Sequence, residues 1–152
     1  MNFKNTTFFA ALSLLLASIS VLGAEAKILK VLPHYLDKEG KHSIYPSLFE
    51  RDAYQYYLRR NPEKCYGIQF DVQWKALKPD GLKLKIEMRG SKDNAARVFT
   101  IETPLKKETF FGHWMRVKVD GEQFKELGML LAWRATLWDG DKLLSEQKSF
   151  LW

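Results

Sequence analysis

Between residues 68 and 75 the chain alternates without a break: Ile68, Phe70, Val72 and Trp74 are apolar, and Gln69, Asp71, Gln73 and Lys75 are polar. Side chains on an extended chain point to opposite faces in turn, so this segment is a strand with one buried and one wet face. The pattern restarts after Lys78-Pro79-Asp80-Gly81. There Leu82, Leu84, Ile86 and Met88 alternate with Lys83, Lys85, Glu87 and Arg89. Proline presets φ and glycine supplies a positive φ, which predicts a hairpin between the two strands. Two amphipathic strands need an apolar partner layer, and the rest of the chain supplies it.

Gly90 to Asn94 reads as the next turn, and Val98, Phe99 and Ile101 mark a strand ending before Pro104. Met115, Val117 and Val119 alternate with Arg116, Lys118 and Asp120 in another. Phe124 and Leu127 then lie three apart between glycines, the spacing of a helical turn plugging the bottom of a sheet. Met129 to Trp138 is a nearly continuous β-prone run, Asp139-Gly140 signals a tight hairpin, and Leu143 to Trp152 returns. With a first strand from Lys27 to about Leu36, this gives seven short strands and predicts a mainly β, seven-stranded antiparallel sandwich. One short helix is inserted, from about Leu48 to Arg60. Ser47-Leu48-Phe49-Glu50 has the form of a capping box, Asn61-Pro62 stops the helix, and Phe49, Ala53 and Tyr56 or Tyr57 share one stripe.

Residues 1 to 26 read as an export signal. Lys4 precedes an apolar run from Phe8 to Ala17, and Ala24-Glu25-Ala26 offers small residues to a signal peptidase, predicting cleavage after Ala26. The apolar run is about a dozen residues, short of the roughly 20 that span a bilayer. The remainder, residues 27 to 152, is one domain, expected to be periplasmic or secreted and without stable membrane insertion. The formal charge of +6 stays with it, because the signal holds one Lys and one Glu. With charged residues at 28% and aromatics at 14%, the chain is neither a disordered polar segment nor a multi-span membrane protein. Cys65 is the only cysteine, so no internal disulfide forms and the core must supply stability.

The run Ala132-Trp133-Arg134-Ala135-Thr136-Leu137-Trp138-Asp139-Gly140, the terminal Ser149-Phe150-Leu151-Trp152 and Ser47-Leu48-Phe49-Glu50-Arg51-Asp52-Ala53-Tyr54 resemble a set of uncharacterised bacterial exported proteins. The strand count and helical plug resemble an immunoglobulin-like or fibronectin-III-like sandwich. The resemblance implies that architecture and export, and no activity; the inter-sheet cysteine pair of true immunoglobulin domains is missing.

Chemistry requires convergent groups. His34, His42 and His113 show no paired spacing for a metal, although His34 and His42 flank Asp37-Lys38-Glu39-Gly40 and would meet across a turn. Asp139-Gly140-Asp141 lacks the further donors and closing Glu of a calcium loop. No nucleophile elbow, phosphate loop or zinc signature occurs, so neither catalysis nor a cofactor is expected; a hydrolase would need two acidic or histidine side chains in one cleft. Two binding features remain. Lys83, Lys85, Arg116, Lys118 and Arg134 fall on outward strand positions, a cationic field suited to an acidic envelope polymer, nucleic acid being unexpected after export. Trp114 and Trp138 fall on the parity opposite to their strands' apolar residues, and with Tyr54 offer planar rings to a sugar. The expected function is a non-catalytic envelope module that meets another exported protein through an open sheet edge or the helix-bearing surface. The alternative is a carbohydrate or cell-wall binding module.

Overall fold

The computed structural model describes residues 26–105 and 113–152; the expected export signal up to Glu25, Ala24 included, lies outside the described residues. Two antiparallel sheets face each other. One holds β1 (Ala26–Leu36), β2 (Gly67–Ala76) and β5 (His113–Asp120) in the order β1-β2-β5. The other holds β3 (Leu82–Lys92), β4 (Ala95–Pro104), β6 (Met129–Asp139) and β7 (Lys142–Lys148) in the order β4-β3-β6-β7. Ile68, Phe70, Val72 and Trp74 of β2 pack against Leu84, Ile86 and Met88 of β3 and Ala135 and Leu137 of β6. Trp133 meets Phe70 edge-on at 6.2 Å. Alternation thus located the core faces of both sheets.

It did not locate the partners. β2 and β3 are not a hairpin: β2 pairs with β1 and β5, and β3 with β4 and β6. The segment around Gly81, at φ 85°, carries the chain from one sheet to the other, so the two apolar stripes face each other across the core. Period two says which side of a strand is buried and nothing about its lateral neighbour. The following turn is also shorter than the sequence suggested. β3 runs through Lys92, and only Asp93 and Asn94 turn, both at positive φ, as a two-residue hairpin requires. Gly90 lies inside β3 at an irregularity in its pairing with β6, and a Cβ there would stand 2.2 Å from the Leu127 carbonyl oxygen. That glycine is the notch into which the chain after β5 is seated.

The seated element is α2 (Gly121–Leu127), which buries Phe124 and Leu127 as the spacing predicted and ends at Gly128. It is a full second helix rather than a single turn. The first, α1 (Leu48–Arg60), has the expected bounds: Ser47 Oγ accepts from the Glu50 amide at 3.2 Å, and Asn61 and the 3₁₀ turn Pro62–Lys64 end it. The Asp139-Gly140 hairpin joins β6 to β7 as expected, but β7 stops at Lys148, short of Trp152. Ser149 still bonds both backbone groups of Trp133, and the tail brings Trp152 beneath the guanidiniums of Arg89 and Arg134, at 4.0 and 4.9 Å. Ala26, the residue before the expected cleavage, opens β1 opposite Ala76 and is 1% exposed in the core.

Candidate functional site

β1 is an edge strand, and an unpaired edge is the simplest place for another chain to add. Here it is closed by side chains. Pro33 has no N–H to offer. Near one end Ser145 Oγ accepts from the Ile28 amide at 3.1 Å, and Gln147 Nε2 donates to the Ile28 and Leu29 carbonyls. Near the other, Gln55 of α1 acts as a substitute strand: Oε1 accepts from the Tyr35 amide at 2.8 Å, while Nε2 donates to the carbonyls of Tyr35 and His42 at 2.9 and 2.8 Å. The β1 edge is therefore covered at one end by side chains of β7 and at the other by α1.

Seating Gln55 fixes the rotation of α1. Gln55 and Leu58 are buried, and the stripe about half a turn away, Phe49, Ala53 and Tyr56, faces outward. Phe49 is 82% exposed. Ile44, Tyr45 and Leu48, just before the helix and at its first residue, are exposed too. The only polar tether in the stripe is exposed, with Arg60 Nε donating to the Tyr56 hydroxyl at 3.2 Å. The sequence signal for this stripe was legible, but its side was not, because a glutamine takes the place expected for an apolar residue on the packed face.

Beside α1 runs a groove of about 730 Å³ lined by Asp37, Glu39, Lys41, Tyr54, Tyr57 and Tyr66 among others. Tyr54 and Tyr57 stack, ring centroids 6.1 Å apart. The Tyr54 hydroxyl donates to Asp37 Oδ2 at 2.8 Å, and Asp37 Oδ1 accepts from the amides of Glu39 and Lys41 at 2.9 Å each. Burial alone would raise Asp37, but those donors outweigh it and hold the carboxyl below its usual range. Burial first, and the bond to Asp37 second, push the Tyr54 hydroxyl up to about 12. Glu39 is tied to Lys41 at 2.8 Å. Acidic groups do share this cleft, yet Asp37 is ionised and fully engaged.

The other residues singled out from sequence fall on two separate faces. Lys83, Lys85, Trp138 and Arg134 lie on the outer face of the four-stranded sheet, where Lys83 stands opposite Trp138 and Lys85 opposite Thr136. The Trp138 indole N–H donates to Thr136 Oγ1 at 2.8 Å, and the ring is half-buried. The cations there do not stand alone: Lys83 meets Glu102 at 3.7 Å, Lys85 meets Glu87 at 3.9 Å, and Arg134 meets Glu87 at 2.7 Å and Glu146 at 3.7 Å. Trp114, Arg116 and Lys118 lie on the outer face of the three-stranded sheet. Trp114 is 45% exposed, Lys118 faces solvent opposite Gln69, and Arg116 Nε donates to Asp71 at 3.2 Å. Tyr54 belongs to α1, so the eight residues do not form one site.

His34 and His42 do meet, stacked at 5.0 Å, and His34 Nε2 lies 3.6 Å from Asp71. No three metal-type side chains converge among the described residues, and no described helix is long and apolar enough to cross a membrane. Comparison with known proteins finds no matching family model, no matching curated protein and no matching solved structure.

Proposed function

We propose that this chain is an exported, non-catalytic module of the cell envelope that binds another exported protein through the outward face of α1. One observation carries the reading: the apolar stripe Phe49, Ala53 and Tyr56 faces solvent on a helix whose other face is pinned by Gln55. Large exposed apolar groups gathered on one helix mark interaction surfaces. The strand orders β1-β2-β5 and β4-β3-β6-β7 support the finer reading of a fibronectin-III-like, immunoglobulin-class sandwich. In vivo crosslinking read by mass spectrometry tests the function. A species trapped by the wild type and lost in Phe49→Ser/Tyr56→Ser supports it, and a species kept by that variant refutes it.

Export rests on the signal pattern of residues 1 to 26. Cleavage after Ala26 removes a residue that fills the core, whereas cleavage after Ala24 keeps it. The intact mass of the exported protein separates these outcomes, and the mass of the whole chain overturns export by cleavage.

A second reading, glycan binding, is favoured by the stacked Tyr54 and Tyr57 beside the polar groups of the groove and by the exposed ring of Trp114. Arg116 and Lys118 share the outer sheet face of Trp114, while Lys83, Lys85, Arg134 and Trp138 would form a separate patch on the other sheet. Cosedimentation with purified cell wall, compared with Trp114→Ala, Trp138→Ala and Tyr57→Ala, decides it. Negligible pelleting of the wild type removes this reading.

A further inference from the structure

At the end of the sandwich where β1, α1 and α2 converge, a cavity of about 260 Å³ opens between the two helices. Leu58 and Phe124 are buried in its wall, and Tyr35, Pro62, Cys65 and Met129 add to the lining. Its walls are anchored independently. Gln55 fixes α1 to β1, and α2 ends at Gly128, whose φ is 69° and whose Cβ position would stand 2.2 Å from the Ser91 carbonyl oxygen. Tyr35 and Phe124 meet edge-on at 6.5 Å across the two. The backbone frame of the cavity is thus anchored at both helices.

The lining is apolar inside and cationic outside. Cys65 Sγ donates to the Leu58 carbonyl at 3.2 Å, and burial first, then Glu63, pushes the thiol up to about 11, so it is neutral at pH 7. Burial likewise raises the Tyr35 hydroxyl, with Cys65 adding to it, while the Leu130 amide and Arg59 oppose. No anion forms inside. Arg59 and Lys125 line the cavity and are exposed to solvent. Lys125 is held by Glu122 at 2.6 Å, but both groups are exposed, and Arg59 has no ion-pair partner among the described residues. Such an exposed, unpaired guanidinium beside an apolar recess offers a ligand one charge-assisted contact.

We propose that this cavity binds a small amphipathic carboxylate, its apolar body against Leu58, Phe124 and Met129 and its charge toward Arg59. A dry cavity of about 150 Å³ takes one benzene ring, so the larger one here suits an acyl chain of roughly eight carbons. Neither Phe49 nor Tyr56 lines it, so the site stands or falls independently of the outward face of α1.

Isothermal titration of the protein with octanoate, octan-1-ol, octylammonium and acetate tests the site. Octanoate is expected to bind about fivefold tighter than octan-1-ol, the size of an exposed ion pair, with octylammonium weaker than octan-1-ol by a similar factor and no binding of acetate. Octanoate should also shift the Met129 methyl resonance and slow alkylation of Cys65, the chain's only thiol. Arg59→Glu, an exposed change, should erase the preference for octanoate over octan-1-ol, and Met129→Trp should fill the mouth and abolish binding of both. The proposal is overturned if millimolar octanoate leaves the Met129 methyl and Cys65 alkylation unchanged. It is equally overturned if octylammonium binds as well as octanoate, or if Arg59→Glu leaves the preference intact.

Discussion

The outer face of the four-stranded sheet and the outward face of α1 both lie outside the core, and they treat their residues in opposite ways. On the sheet, the outward residues of β3 from Lys83 to Arg89 are all charged, and the cations Lys83, Lys85 and Arg134 are each met by Glu102, Glu87 or Glu146. On the helix, Phe49, Ala53 and Tyr56 face water with no apolar neighbour layer over them. On the sheet face each of these carboxylates is engaged, Glu87 by both Lys85 and Arg134 and Glu146 by both Arg134 and Lys148. The helix face has left apolar area unburied, and at about 25 cal/mol per Å² that area is free energy available to a partner. The two faces thus differ in kind, paired charge on one and unburied apolar area on the other.

The comparison depends on α1 being held in one rotation, so the largest expected effect comes from releasing it. Gln55→Leu keeps the volume but leaves the Tyr35 amide and the Tyr35 and His42 carbonyls without their partner. The expected loss is about 3 kcal/mol in urea-induced unfolding, near 1 kcal/mol for each bond. A cost below about 1 kcal/mol would mean that Gln55 does not fix the helix.

On the sheet, Glu87→Gln removes the carboxylate shared by Arg134 and Lys85. It should cost about 1 kcal/mol, less at high salt, as a partly screened pair does. It leaves Arg134 only its 3.7 Å contact to Glu146 as an ion pair among the described residues.

A smaller effect is expected from His34 of β1, which lies between His42 and Asp71. Its burial comes first and the nearby His42 second in lowering it below its ordinary 6.5, with Asp71 pulling the other way. The folded protein then binds fewer protons at His34 than the unfolded chain, so stability is full above 6.5 and falls as pH drops from 6.5 toward the lower folded value. Urea midpoints of wild type and His34→Gln, measured across that window, should diverge above it and converge as the pH falls. Parallel curves would contradict the assignment.

The smallest stability effect is expected from the surface of greatest functional interest. Phe49→Ser/Tyr56→Ser should leave the unfolding free energy within about 0.5 kcal/mol of wild type, because neither ring packs on the core. A larger loss would show that the stripe is structural.

What the sequence conveyed follows from which signals are local. The core faces of β2 and β3, the α1 bounds at Ser47 and Asn61, and the Asp139-Gly140 hairpin depend on alternation, a cap and a turn, all written within a few residues. The pairing of β2 with β5 instead of β3 is a long-range choice with no local mark. Gly90 read as a turn because glycine permits one, whereas its function is to admit the Leu127 backbone, which no window around residue 90 contains. The site was harder still. Tyr54 was recognised, but Gln55, one residue on, looks like an ordinary solvated side chain until β1 lies beside it. The inward residue of an amphipathic helix was sought among apolar types, and here the chain uses an amide to finish a sheet edge.

The central claim, that the outward face of α1 meets a partner and the paired sheet face does not, reduces to one measurement. A photo-crosslinking amino acid placed at Phe49, at Tyr56 and at Lys85 in the protein expressed in its own cells gives adducts read by mass. The account predicts the same adduct from Phe49 and Tyr56 and none from Lys85. Adducts from Lys85 alone, or no adduct from Phe49 and Tyr56 while the protein remains folded, would contradict it.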